Sequence, residues 1–259
     1  MWKATPLRCC RVSIHLIVKT GLPNPTRAEV PERFPPISFY QSKTTFSMDE
    51  SLPVSLLYLA MACYVVYLYR SDLLAAQSDQ PNPKALPGAT QASLGVYVIG
   101  VVGALIILAM ETVGEMVLGV ADEQSDVVWF FIFTSLAAGV IEEVIFRGFL
   151  VVENRGRKVL IASCVAFSML FALLHPYIWE LNYPEESAAW QFWLADFNFI
   201  LTPKAFFTTA ILFLNSLWFY ALRFGTWNSN HSLFPCMLAH AASNLGVFVV
   251  KWMQGHVTF

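Results

Sequence analysis

Six long apolar segments constrain the fold of this chain more than any other feature. They lie at 51–69, 91–110 (with apolar continuation toward 120), 127–152, 159–179, 205–222 and 233–250. Each approaches the roughly 20 residues needed to cross about 30 Å of hydrocarbon. Only 13% of the 259 residues are charged, against about 25% in soluble domains. In lipid the backbone must satisfy its own hydrogen bonds, so such segments fold as helices. The expectation is therefore an all-α, polytopic integral membrane helical bundle of about six transmembrane helices. An aromatic stretch at 188–201, interrupted by Gln191, Asp196 and Asn198, reads as an additional interfacial or re-entrant helix.

The remaining sequence fits around these spans. Residues 1–47 hold seven Lys/Arg, two acids and six prolines, and no run in them is long enough to span. They read either as a disordered basic tail or as an over-extended start with initiation at Met48, leaving 48–259 as the transmembrane helical domain. The 147–158 loop carries four basic residues and one acid, whereas 111–126 and 176–203 carry five and four acids and no base. By the positive-inside tendency, 153–158 is expected to be cytoplasmic and the two acidic loops external. The chain is thus expected to be a multi-pass protein of the plasma membrane. The net charge of −2 and the lack of a long basic run give no sign of nucleic acid binding. Cys63, Cys164 and Cys236 lie in spans as small hydrophobes, and no CxxC or HExxH spacing marks a zinc site. Trp179, Tyr183 and Trp252 read as interfacial anchors, and His231 and His256 are given no role.

The third span carries an anomaly. No ionisable side chain occurs from 127 to 141, and then Glu142 and Glu143 arrive together. Ionisable groups inside a membrane are costly and mark function by default. Residues four apart share a helical face, so Glu143 stacks with Arg147 while Glu142 points about 100° away. Arg147 can hold Glu143 as a charge-assisted pair, which leaves Glu142 as the free acid. The plainer alternative is a structural ion pair at a helix end.

Two other spans carry polar groups at the same spacing. Phe171 and His175 share a face in the fourth, and His240 and Asn244 share one in the last. Taken singly, each could be a satisfied interfacial group or interhelical glue. Together, one acid, two histidines and an amide could do chemistry. A carboxylate beside a histidine can hold and deprotonate a water. Histidine and asparagine can donate to the oxyanion formed when that water attacks a carbonyl. One dimension fits poorly: counted from the cytoplasmic end, Glu142 lies about 15 Å in and His175 about 24 Å.

These residues resemble the CAAX protease and bacteriocin-processing (CPBP, or Abi) family of intramembrane glutamic endopeptidases. That family shows EExxxR, FxxxH and HxxxN or HxxxD on successive membrane helices. Here they stand as Glu142-Glu143-Val-Ile-Phe-Arg147, Phe171-Ala-Leu-Leu-His175 and His240-Ala-Ala-Ser-Asn244, within a core at 127–250. The resemblance implies an intramembrane endopeptidase that hydrolyses a peptide bond of a membrane-associated peptide or protein substrate. Glu142 and His175 would activate the water, and His240 with Asn244 would form the oxyanion hole. Glu143, Arg147 and Phe171 would be structural support, with no metal and no cofactor. Two other readings stay open on the residues alone: a non-catalytic binding or immunity-type protein on the same scaffold, and a transporter or proton relay using Glu142 and His175. An internal repeat or paired broken helices would favour a transporter, and neither is visible.

Overall fold

The computed structural model describes residues 52–78, 80, 82–182, 184 and 192–259. The expectations for 1–47, for Tyr183 and for the first part of 188–201 lie outside these residues. Among the described residues there are six α-helices: α1 (Leu52–Gln77), α2 (Leu94–Leu118), α3 (Phe131–Glu143), α4 (Arg157–Leu174), α5 (Pro203–Phe224) and α6 (Phe234–Met253). Five of them, all but α3, are long and apolar enough to cross a membrane. The expected third span is instead a composite. After Glu143 the helix continues from Val144 to Leu150 with π-type hydrogen bonding, so helical backbone runs unbroken from 131 to 150.

The surface confirms the solvent this bundle is built for. Large apolar side chains such as Leu57, Ile106 and Val117 are exposed, while Ser55, Glu115, Glu143 and Arg147 are buried. Apolar outside and polar inside is the arrangement a bilayer requires. The chain is an integral membrane protein.

Helix ends follow the local sequence. Thr202 caps α5 by accepting a hydrogen bond from the Ala205 N–H at 3.2 Å, and Pro203 sits at the first helical position, where a missing N–H is harmless. The Pro-rich linker after α1 is pinned rather than loose. The Leu233 N–H donates to the Gly88 carbonyl at 3.0 Å, Tyr69 donates to the same carbonyl at 2.6 Å, and Ser232 donates to Thr90 at 2.7 Å. This end of the bundle rests on a buried cluster that includes Val96, Val144, Phe219, Leu222, Leu233 and Met237.

Two expectations are corrected here. The fourth span does not reach Trp179: α4 stops at Leu174 and His175 is its C-cap in an extended conformation. Nor is the described part of 188–201 an interfacial or re-entrant helix. It forms a short 3-10 turn, Phe192–Leu194, and a strand β3 (Asp196–Phe199). That strand pairs antiparallel with β2 (Trp179–Asn182), Trp179 opposite Phe199. The physical reason is period. Asp196-Phe197-Asn198-Phe199 alternates polar and aromatic residues, which is a strand pattern, and it brings the Phe197 and Phe199 rings to 5.0 Å on one side. Two further short strands, β1 (Val127–Val128) and β4 (Val257–Thr258), pair in parallel and tie the C-terminal residues to the start of α3.

The packing of α3 on α6 decides where the site can form. A Cβ built on Gly139 would lie 2.8 Å from the Ala241 nitrogen and 3.0 Å from its Cα. Only glycine lets the two backbones approach this closely, and the contact falls one turn from Glu142 and Glu143 and next to His240.

Candidate active site

The two glutamates meet opposite environments. Glu143 and Arg147 are both 0% exposed, and their charged ends approach to 2.9 Å. This is a charge contact without hydrogen-bond alignment, since Arg147 Nη1 and Nε have no hydrogen-bond acceptor. Arg147 Nη2 instead donates to the Ser216 hydroxyl at 2.6 Å, and Ser216 donates to Ser168 at 3.1 Å. Aromatic faces complete the enclosure, with the guanidinium carbon 4.7 Å from the Phe171 ring centre and 5.0 Å from that of Tyr220. Such faces attract a cation that water cannot reach.

Glu143 also holds His240. Its Oε1 accepts from His240 Nδ1 at 2.8 Å, and the imidazole stacks on Phe219 at 5.0 Å between ring centres. With Nδ1 engaged, any proton that His240 offers to a substrate is carried on Nε2. That nitrogen lies 3.9 Å from Glu142 Oε2, and the Glu142 side chain keeps 29% of its surface exposed.

Glu142 opens onto a cavity of about 710 Å³ that is also lined by Phe171, His175, His240 and Asn244. All four expected catalytic residues therefore border one space. The depth mismatch in the sequence disappears for a geometric reason. Phe146 and Phe171 meet edge to face at 5.1 Å. The helical run ending at Leu150 and α4 are joined by the short segment 151–156 and run antiparallel. Glu142 lies four residues before Phe146, and His175 four after Phe171, so each sits about 6 Å beyond the ring contact on the same side. The two chains simply do not end level: four residues separate Phe146 from the end of its run, and fourteen separate Phe171 from the start of α4.

The histidine and the amide are oriented by backbone carbonyls. His175 Nδ1 lies 2.8 Å from the Phe171 carbonyl. A carbonyl only accepts, so Nδ1 is the donor and the neutral ring offers a bare Nε2. Asn244 donates one amide hydrogen to the Ser135 carbonyl at 2.7 Å, which leaves the second hydrogen of that amide for another acceptor. Ser135, Ser168, Ser216, Phe219 and Tyr220 are the contributors that the motif reading missed. The signal for the α5 group was present, since Asn215-Ser216 interrupts an apolar helix and Tyr220 follows Ser216 by one turn.

Fold and site together define a polytopic helical membrane protein with a buried acid–base pair beside an open carboxylate in a cavity between helices. Residues 124–246 match the model of the family described as type II CAAX prenyl endopeptidase Rce1-like. The matched segment carries all three motifs and is consistent with the CAAX protease family that they resemble. Comparison with curated proteins and with solved structures gives no match.

Proposed function

We propose that the protein is an intramembrane endopeptidase of glutamate type, acting on a membrane-associated peptide that enters the cavity from between the helices. The observation that carries this reading is the asymmetry of the adjacent acids. Glu143 is sealed between Arg147 and His240, while Glu142 is exposed to a cavity shared with His175, His240 and Asn244. In this reading a water held by Glu142 and the bare Nε2 of His175 attacks the scissile carbonyl carbon. Glu142 takes the water proton and then delivers it to the departing amine, so that one water is consumed and an acid and an amine are released. The oxyanion accepts hydrogen bonds from the spare Asn244 N–H and from His240 Nε2–H, which the ring carries in its doubly protonated form while Nδ1–H stays on Glu143. Glu143 and Arg147 hold His240 in place, and Phe171 supports both histidines, its ring centre 4.7 Å from His175 and 6.1 Å from His240. The 153–158 loop lies on the cytoplasmic side of the plasma membrane.

The test is quantitative proteomics of membranes from cells carrying the wild-type chain or Glu142→Gln. Cleavage products should appear with the wild type and vanish with the variant, whose melting temperature stays at the wild-type value. A chelator should leave cleavage unchanged. Products that persist in Glu142→Gln, or activity lost to chelation and restored by zinc, would overturn the reading.

A further inference from the structure

The same cavity carries a second set of charges that the proposed reaction does not use. Glu111 and Glu115 lie one turn apart on α2, and Lys204 on α5 and Lys251 on α6 border the same space. Three of these four are already engaged. Glu115 accepts from the Gln124 side-chain amide and lies 4.0 Å from Lys204. Lys204 donates to the Val120 carbonyl at 3.3 Å. Lys251 donates to Gln124 Oε1 at 3.1 Å and to the Ser125 carbonyl at 2.7 Å. Glu111 has no hydrogen bond and no contact ion pair among the described residues.

Unpartnered acceptors accompany it on the facing helix. Thr208 is 4% exposed, lines the cavity, and its Oγ1 has no hydrogen-bond partner. Its neighbour Thr209 donates to the carbonyl four residues back at 2.7 Å, as Thr112 does on α2 at 3.0 Å, so the Thr208 hydroxyl is the exception. Asn215, two turns further along α5, also lines the cavity and leaves its Oδ1 unpartnered. The electrostatic balance has the same sign. Four glutamates (111, 115, 123 and 142) and two lysines border the cavity. Burial first, and then the negative charges of Glu111 and Glu115, push the Tyr177 hydroxyl, two residues from His175, up to about 12.

A lone carboxylate, a hydroxyl and an amide oxygen without donors, in a cavity of net negative formal charge, call for a cation rich in N–H groups. A carboxylate ligand would meet repulsion in the same place. The extent of the cavity along α6 bounds the reach: two of its lining residues, His240 and Lys251, are eleven residues apart on that helix, about 16 Å, or about five residues of extended chain. We propose that this end of the cavity receives a lysine or arginine side chain of the substrate, within about five residues of the cleaved bond, with Glu111 as its counter-ion. The proposal rests on the peptide reading above.

The test uses the full chain carrying Glu142→Gln, in nanodiscs of uncharged phosphatidylcholine. Two fluorescein-labelled, acylated apolar nonapeptides serve as probes, identical except for a central lysine or glutamine. The lysine peptide should bind about tenfold or more tightly than its twin, the value of one charge-assisted hydrogen bond, and added Glu111→Gln should abolish the difference. Equal binding of the two peptides, or a preference that survives Glu111→Gln, overturns the proposal. The first comparison needs no Glu111 variant, so misfolding of that variant cannot rescue the idea. The outcome is separable from catalysis: a lysine preference here together with a wild-type chain that yields no cleavage products supports this inference and sinks the protease reading, while wild-type cleavage without a preference does the reverse.

Discussion

Removing the charge of Glu143 while keeping its shape isolates the buried pair. In Glu143→Gln the side-chain oxygen can still accept from His240 Nδ1, but the Arg147 guanidinium loses its counter-charge. Both groups are 0% exposed, so water cannot compensate. Breaking one member of such a pair costs about 3–5 kcal/mol. Arg147 keeps its bonds to Ser216 at 2.6 and 3.2 Å and the faces of Phe171 and Tyr220, which puts the loss near the lower end, about 3 kcal/mol. For a protein of this size, each kcal/mol shifts the melting temperature by about 2–4 °C, so a fall of about 6–12 °C is expected. The assay is thermal unfolding of the full chain in detergent, with Glu143→Gln compared with Glu143→Gln/Arg147→Met. The double variant should recover most of the loss, because exchanging a whole buried pair for neutral groups of similar volume is often nearly neutral. If Glu143→Gln melts within about 2 °C of the wild type, or the double variant melts as low as the single one, the pair is not what holds this site together.

Three further outcomes are expected. On an identified substrate, His240→Ala and Asn244→Ala should each lower kcat by roughly 100- to 1000-fold with little change in KM, since oxyanion donors act on the transition state; a pure KM effect in steady-state kinetics would contradict those roles. Gly139→Ala should destabilise the chain by about 1–3 kcal/mol, read as a lower melting temperature, because its Cβ would meet the Ala241 backbone at 2.8 Å; an unchanged melting temperature would mean that α3 and α6 are not packed this closely. Reporter insertions at Gly119 and Gly156, on either side of the composite third span, should report opposite faces of the membrane, and the same face for both would remove that span.

The sequence alone determined the class and singled out the polar residues that border the cavity, because both depend on local composition and periodicity. Long uncharged runs can be stable only as helices in lipid, and spacing by four puts Glu143 beside Arg147, Phe171 beside His175 and His240 beside Asn244 on any regular helix. What had no local signature was everything set by which helix faces which. The pattern does not say that Glu143 rather than Glu142 would hold His240, nor that Ser216 and Tyr220 of α5 would complete the Arg147 enclosure. The close approach of Gly139 to Ala241 settles the first, and the packing of α5 against the π-helical turn settles the second. The strand at 196–199 was missed for the opposite reason: its alternation was legible, but a neighbouring run of aromatic residues suggested a helix, and only the pairing with 179–182 decides between the two. Whether Glu111 stands alone or paired is likewise a tertiary matter. Its partners on α5 and α6 are far away in sequence, and Lys204 and Lys251 both turn to other acceptors.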